Sequence, residues 1–188
     1  MLFSQMERRL LVASDTSFEG GKGEAGFLLV ANPGCPEESR VGRVLAIPPG
    51  NSKFWGNNKT YIAQLELLVV LAAMVEFAHL VRRSKGLWLI DNIAALMAHV
   101  RGKNDPPSLD LMAQFVHSAN FALQATPYYE YVEYAANWSE EISREGLRGA
   151  WAKDRRFKLG ICTFVYQSQS SRIPQSSPTS SISLSLCK

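Results

Sequence analysis

The stretch Thr60-Tyr-Ile-Ala-Gln-Leu-Glu-Leu-Leu-Val-Val-Leu-Ala-Ala-Met-Val-Glu-Phe-Ala-His-Leu-Val-Arg-Arg-Ser-Lys-Gly-Leu-Trp-Leu-Ile-Asp-Asn92 decides how the rest of this chain is read. It divides into an apolar helix expected from Tyr61 to Val81, a basic turn, and a short apolar strand from Gly86 to Ile90. The helix is hydrophobic almost all round. Glu66 nevertheless lies between Ile62 and Val69/Val70, at spacings that share a helix face, so its carboxylate sits on a buried stripe. The strand reads as fully buried and delivers a second carboxylate, Asp91, at its carboxyl end. Ionised carboxylates are almost never left buried unless they are paired or hold a metal, because desolvation otherwise shifts their pKa or destabilises the fold. Both acids therefore require partners.

At 188 residues the chain suits one domain with a sizeable core. Its 46% apolar and 20% charged residues exclude a wholly disordered class. A formal charge of +3 permits a polyanionic partner without requiring one. Cys35, Cys162 and Cys187 form no CxxC pair and have no nearby histidine, so neither a zinc site nor a disulfide framework is indicated. That pattern fits a reducing, intracellular compartment rather than secretion. Glu7-Arg8-Arg9 precedes only a short apolar run, too brief for the core of a signal peptide. Glu66, Glu76 and His79 interrupt the long helix, and its longest apolar run, Leu67 to Val75, falls well short of the about 20 residues a membrane span needs. It reads as a core helix, with no membrane partner.

Upstream, Leu10-Leu-Val-Ala13 breaks at Ser14-Asp15-Thr16, the same grammar as Leu87 to Asp91. Two buried strands each ending in an aspartate are what adjacent parallel strands look like when both acids emerge at one sheet edge. Glu24 to Val30 and Gly42 to Ile47 read as two further strands that join the first as an antiparallel meander. After Asp91, Ile93, Leu96, Met97 and Val100 mark a helix stopping near Gly102. Asp105-Pro-Pro107 is a break, and Ser108 is placed to cap a helix from Leu109 to Leu123. Tyr128 to Ala135 reads as a strand, and Asn137-Trp-Ser-Glu-Glu-Ile-Ser-Arg144 as a turn into a final helix. The expected class is α/β, a mixed five-stranded sheet flanked by helices in the order βββαβααβα. Residues 1–8 form a lead-in and 9–156 the domain. Residues 157–188 form a tail expected to be disordered: Gly160 to Tyr166 has the composition of a strand, but Gln167 to Lys188 holds nine serines and no acid.

In this order Asp15, Glu66, Asp91 and Glu140 converge at one sheet edge. Such a group suits phosphodiester hydrolysis with two divalent ions about 3.5–4 Å apart, and magnesium takes carboxylate oxygens while keeping several waters. Each acid also has a plainer reading. Asp15 fits a turn, Asp91-Asn92 a helix cap, and Glu66 a pairing with Arg82 or Lys85. With Asn137 as N-cap, Glu140 would stand at the third helical position, where a carboxylate caps the backbone. Singly, that reading wins for Glu140; together, the four acids favour a metal site.

Leu10 to Thr16, Ile62-Ala-Gln-Leu-Glu66, Leu87 to Asn92 and Asn137 to Arg144, in this element order, resemble the ribonuclease H domain of retrotransposon reverse transcriptases. The resemblance covers about residues 9 to 150. Its most specific pieces are Gln64-Leu-Glu66 and the closing motif, for which the family pattern is Asn, two residues, Asp, two residues, Ser-Arg. It implies that Asp15, Glu66, Asp91 and Glu140 bind two Mg2+ ions, for which Mn2+ can substitute, and cut the RNA strand of an RNA/DNA hybrid. It also implies a reverse transcriptase polymerase domain upstream in a parent polyprotein, since no Tyr-x-Asp-Asp occurs here. Two departures bear on activity: Glu140 stands where the family has aspartate, and Ala125 to Ala136 lacks the histidine that cellular relatives carry before the last acid. The alternatives are a DNA-directed nuclease or strand-transfer domain of the same fold, and an inactive nucleic-acid-binding or scaffold remnant. Arg82-Arg83-Ser-Lys85, Arg101-Gly-Lys103 and the cations from Arg144 to Arg156 read first as solvated faces and second as phosphate contacts. The four tryptophans read as core, and the three histidines, spread over three helices, do not read as a catalytic pair.

Overall fold

The alternation of apolar residues organises the sheet from both faces. In the computed structural model, which describes residues 8–19, 22–47, 62–102, 107–162, 165–168 and 182–185, β1 (Arg8–Glu19), β2 (Lys22–Ala31) and β3 (Ser39–Ile47) form the antiparallel meander. α1 (Ile62–Glu76) and the short α2 (Ala78–Val81) cross to β4 (Ser84–Ile90), which pairs parallel to β1. α3 (Ile93–Arg101) and α4 (Pro107–Leu123) lead to β5 (Thr126–Tyr131), parallel to β4. A 3-10 turn at Tyr134–Ala136 then precedes α5 (Glu140–Glu145) and α6 (Ala150–Asp154).

The sheet has six strands, not the expected five. β6 (Lys158–Ile161) lies parallel to β3 and closes the order β5-β4-β1-β2-β3-β6. The sheet thus takes in residues beyond the expected boundary at 156. Four residues, half-buried at Leu159 and Gly160 and exposed at both ends, carry almost no periodic signal; what recruits them is the free edge of β3, extended by the Cys162 N–H donating to Val44 O at 2.8 Å. β7 (Val165–Ser168) and β8 (Ile182–Ser185) pair antiparallel in a separate ribbon. The remainder of the serine-rich tail, the Met1–Glu7 lead-in and the Asp105-Pro106 break lie outside the described residues.

Leu10 and Val12 of β1 and Phe27 and Leu29 of β2 face α1, while Leu28 and Val30 face the other way onto Ile142, Ala152 and Phe157. Every residue of α1 from Gln64 to Met74 is buried, because the helix lies between the sheet and α4. The expected helix through Val81 breaks at Phe77, whose ring packs edge-on against Phe27. Trp88 belongs to the larger core, and Trp138 and Trp151 pack beside Phe157 in the smaller one. Ser108 falls inside α4 rather than at its cap, and accepts a hydrogen bond from Gln64 at 3.3 Å. Among the described residues, no helix is long and apolar enough to cross a membrane.

The seat of α5 depends on Gly26. A Cβ there would stand 2.5 Å from Ile142 Cγ1 and 2.8 Å from the backbone nitrogen of Ser143, so only glycine lets the helix approach this closely. Gly26→Ala is expected to destabilise the protein by about 1–3 kcal/mol through overpacking. Urea denaturation measures this, and an unchanged midpoint would show that α5 does not rest on β2.

Candidate metal centre

The parallel ladder between β1 and β4 ends at Ala13 opposite Leu89. Just beyond it lie Asp15 on one strand and Asp91 after the other. Asp15 was expected to end its strand; instead β1 continues to Glu19, because β2 pairs with it as far as Lys22. Only the β4 side is released at this point. Asp91 follows Ile90 directly, and the capping role suggested for Asp91-Asn92 falls to Asn92 alone, whose Oδ1 accepts from the Ala95 N–H at 3.0 Å. α1 supplies Glu66. One carboxylate oxygen from each of Asp15, Glu66 and Asp91 lies within 4.8 Å of the others.

Glu66 is 1% exposed and takes hydrogen bonds on Oε1 from Thr16, from its N–H at 3.0 Å and its hydroxyl at 2.7 Å. Its other oxygen, Oε2, is buried with no hydrogen-bond partner. Burial pushes the Glu66 carboxyl well above its ordinary range, with the Asp91 charge adding to the effect. Burial likewise pushes Asp15 from 3.8 up to about 6, opposed by Ser143 and reinforced by the Asp91 charge. Three convergent carboxylates, one with an unused buried oxygen, fit a hard divalent cation that binds through oxygen.

The Asn137–Arg144 segment differs from its expected role. Asn137 is not the N-cap of α5; Ser139 holds that position, and Glu140 is the first helical residue. The Asn137 amide donates instead to Asp91 Oδ2 at 3.0 Å and to Ser14 O at 2.9 Å, while its Oδ1 accepts from the Ser139 N–H at 3.2 Å and hydroxyl at 2.7 Å. The Ser143 hydroxyl, fully buried, donates to Asp15 Oδ2. Neither residue was assigned to the site from sequence, although both belong to its motif. The usable signal was a polar residue at each end of a segment that must pass the sheet edge.

Glu140 is the expected ligand that the structure does not bring in. It stands outside the three-carboxylate group, with Arg144 at 3.6 Å and a hydrogen bond from the Tyr134 hydroxyl. That bond, above all other causes, pushes Tyr134 up to about 12, and Arg144 donates to the same hydroxyl. The neighbouring Glu141 does the capping expected of Glu140, on a different helix: it accepts from the Ala150 N–H at 2.9 Å and the Trp151 N–H at 2.8 Å. No histidine joins the cluster among the described residues; His99 is buried and stacks on Tyr129 at 4.1 Å.

No family model and no curated protein sequence matches this chain. Solved structures do. LC9-RNase H1, a type 1 RNase H with the type 2 active-site motif, aligns with a TM-score of 0.51 at 19% identity, over 69% of this chain and 65% of that one. RNase H1 of the halophilic archaeon Halobacterium salinarum aligns at 0.48 and 14% identity over 76% and 99%. The N-terminal RNase H domain of a Mycobacterium tuberculosis protein aligns at 0.46 and 16% identity over 78% and 98%. The first of these likenesses carries the fold. The chain is an α/β protein with a ribonuclease H-like fold, a mixed six-stranded sheet flanked by helices.

The raised Asp15 pKa sets a pH dependence. The folded state holds this proton more tightly than the unfolded one, so the associated stability is complete below 3.8 and is lost as pH rises through about 6, a change of about 3 kcal/mol. A divalent ion offsets the loss only where the carboxylates are ionised. Magnesium is therefore expected to raise the melting temperature more at pH 7.5 than at pH 5, and more in the wild type than in Asp91→Asn. Glu66→Gln should melt higher than the wild type in EDTA at pH 7.5 and lose the metal-induced shift. Equal shifts in all three proteins would rule out binding here.

Proposed function

We propose that this chain is a metal-dependent endonuclease that hydrolyses the RNA strand of RNA/DNA hybrids, working as part of a retroelement polyprotein with a reverse transcriptase polymerase domain upstream. The observation that carries the reading is the convergence of Asp15, Glu66 and Asp91 at the released edge between β1 and β4 of a ribonuclease H-like sheet, with Glu66 Oε2 buried and unused. The retroelement context rests on the resemblance of the Gln64-Leu-Glu66 and Asn137–Arg144 motifs, and the intracellular setting on the isolated cysteines.

Asp15, Glu66 and Asp91 are the residues that would hold Mg2+, or Mn2+ in its place, with Glu140 as the fourth ligand of a two-ion site. When bound, such a pair activates a water molecule and stabilises the leaving oxygen. The chain's own part is to fix the carboxylates and exclude bulk water from Glu66. Thr16 orients Glu66 through both its N–H and its hydroxyl, so Oε2 is the oxygen left to face a cation. To join the site, Glu140 would leave Arg144 and Tyr134, of which the exposed ion pair with Arg144 contributes about 0–1 kcal/mol. Cations such as Arg82, Arg101 and Arg148 would meet phosphates without reading bases, which suits a sequence-independent nuclease.

A second reading, an inactive remnant of the same fold, is favoured by one observation: Glu140 is held by Arg144 and Tyr134, away from the other acids. Cleavage of a labelled RNA/DNA hybrid in magnesium or manganese decides between them. The nuclease reading expects wild-type cleavage and a loss on the order of 100-fold or more in Asp91→Asn. It also expects a strong loss in Glu140→Gln and a modest change in Glu140→Asp. A wild type without activity that gains it in Glu140→Asp would identify a site silenced at this residue. No cleavage by either protein would favour the remnant.

A further inference from the structure

The two buried motif residues Asn137 and Ser143 take no part in the chemistry proposed above, yet each ends on a different carboxylate of the cluster. We infer that the segment from Asn137 to Ser143 is a positioning clamp: Asn137 holds Asp91 and Ser143 holds Asp15, so the two acids are spaced for a divalent cation before it arrives. This rests on the metal-dependent reading of the site.

The need for a clamp follows from the strands. Backbone pairing between β1 and β4 stops at Ala13 and Leu89, so beyond that point no ladder bond holds Asp15 and Asp91 at a set separation. Their charges repel, and repulsion alone would splay them. The Asn137 amide spans this gap. One N–H goes to the Ser14 carbonyl on β1 and the other to Asp91 Oδ2 beyond β4, so a single planar group ties β1 to the chain leaving β4.

Its orientation is fixed by its other end. Asn137 Oδ1 accepts from both the N–H and the hydroxyl of Ser139, and a flipped amide would face two acceptors with an oxygen. Aspartate at this position would bring a third charge against Asp91, and serine would be too short to span both strands. The second point of the clamp is Ser143. Its place over Asp15 is set by Gly26, which pairs with Asp15 in the β1–β2 register and admits the backbone of α5. A side chain serving only the local turn would spend its donors on backbone. Here one amide proton goes to the cluster, and the Ser143 hydroxyl reaches Asp15 as well as the Glu140 carbonyl one turn back. Glu140 lies between the two anchor points and meets them only through its backbone, its carbonyl accepting from the Ser143 hydroxyl at 2.8 Å, so the clamp does not depend on the side chain at position 140.

Calorimetric titration with Mg2+ and Ca2+, together with melting in EDTA, tests this on the full chain. Asn137→Ala and Ser143→Ala are expected to lower Mg2+ affinity by about 10–100-fold, the usual range for residues that orient metal ligands. Both should also lower the ratio of Mg2+ to Ca2+ affinity several-fold, because Mg2+ demands near-ideal geometry and Ca2+ does not. Ser84→Ala, which loses a buried hydroxyl bond to the Val81 carbonyl at the opposite end of β4, should leave that ratio unchanged. Ser143→Ala removes one hydroxyl from a packed helix and keeps the test decisive if Asn137→Ala does not fold. Lower melting temperatures with unchanged Mg2+ affinity and unchanged ratio would overturn the clamp alone. A wild type that binds neither ion would overturn the metal-dependent reading and the clamp with it.

Discussion

The parallel pairing of β1 with β4 is the constraint on which the candidate site depends. It sets the end of β4 beside the middle of β1 at the centre of the sheet, so that Asp15 and Asp91 come off neighbouring positions although 76 residues apart in the chain. Strand side chains alternate faces, so a slip of one residue would send Asp15 to the α1 side and Thr16 to the α5 side, separating both from their partners. The crossover that makes the pairing parallel is α1 itself, and the same helix carries Glu66. One connection therefore sets the register and supplies the third acid.

This arrangement opposes stability. Three carboxylates meet where burial is deep enough to raise the pKa of Asp15 and Glu66, and the metal-free protein carries that cost at neutral pH. The fold tolerates it because its two cores lie elsewhere. The large one sits between α1, α3, α4 and the sheet, and the small one lies beneath α5 and α6. Thr16, Asn137 and Ser143 offset part of the cost by donating to acids that otherwise face one another.

How much was legible follows from how local each signal is. β2, β3, β4 and the two helices after Asp91 lie nearly where their apolar patterns placed them, whereas β1 runs on to Glu19 and the long helix breaks at Phe77. Glu66 was legible because its plainer reading, a pairing with Arg82 or Lys85, gives an acid on an apolar helix face only a solvated partner. Asn137 was misread because Asn followed three residues later by Glu imitates a capping box, and no local rule shows that a carboxylate 46 residues upstream competes for the same amide. β6 was placed outside the domain because four residues with one apolar side chain packed inward become a strand only when a neighbouring edge is there to receive them.

Residue 140 contrasts with its neighbours in what it owes to the fold. Glu141 holds the start of α6, Ile142 fills the smaller core and Ser143 is fully buried, whereas the side chain of Glu140 pairs with the exposed Arg144 and Tyr134. Chemistry at this position can therefore drift without disturbing the folded protein. Substitution at residue 140 changes one side chain and leaves both cores, the start of α6 and the buried contacts of Ser143 as they are, so the fold places almost no stability constraint on what stands there.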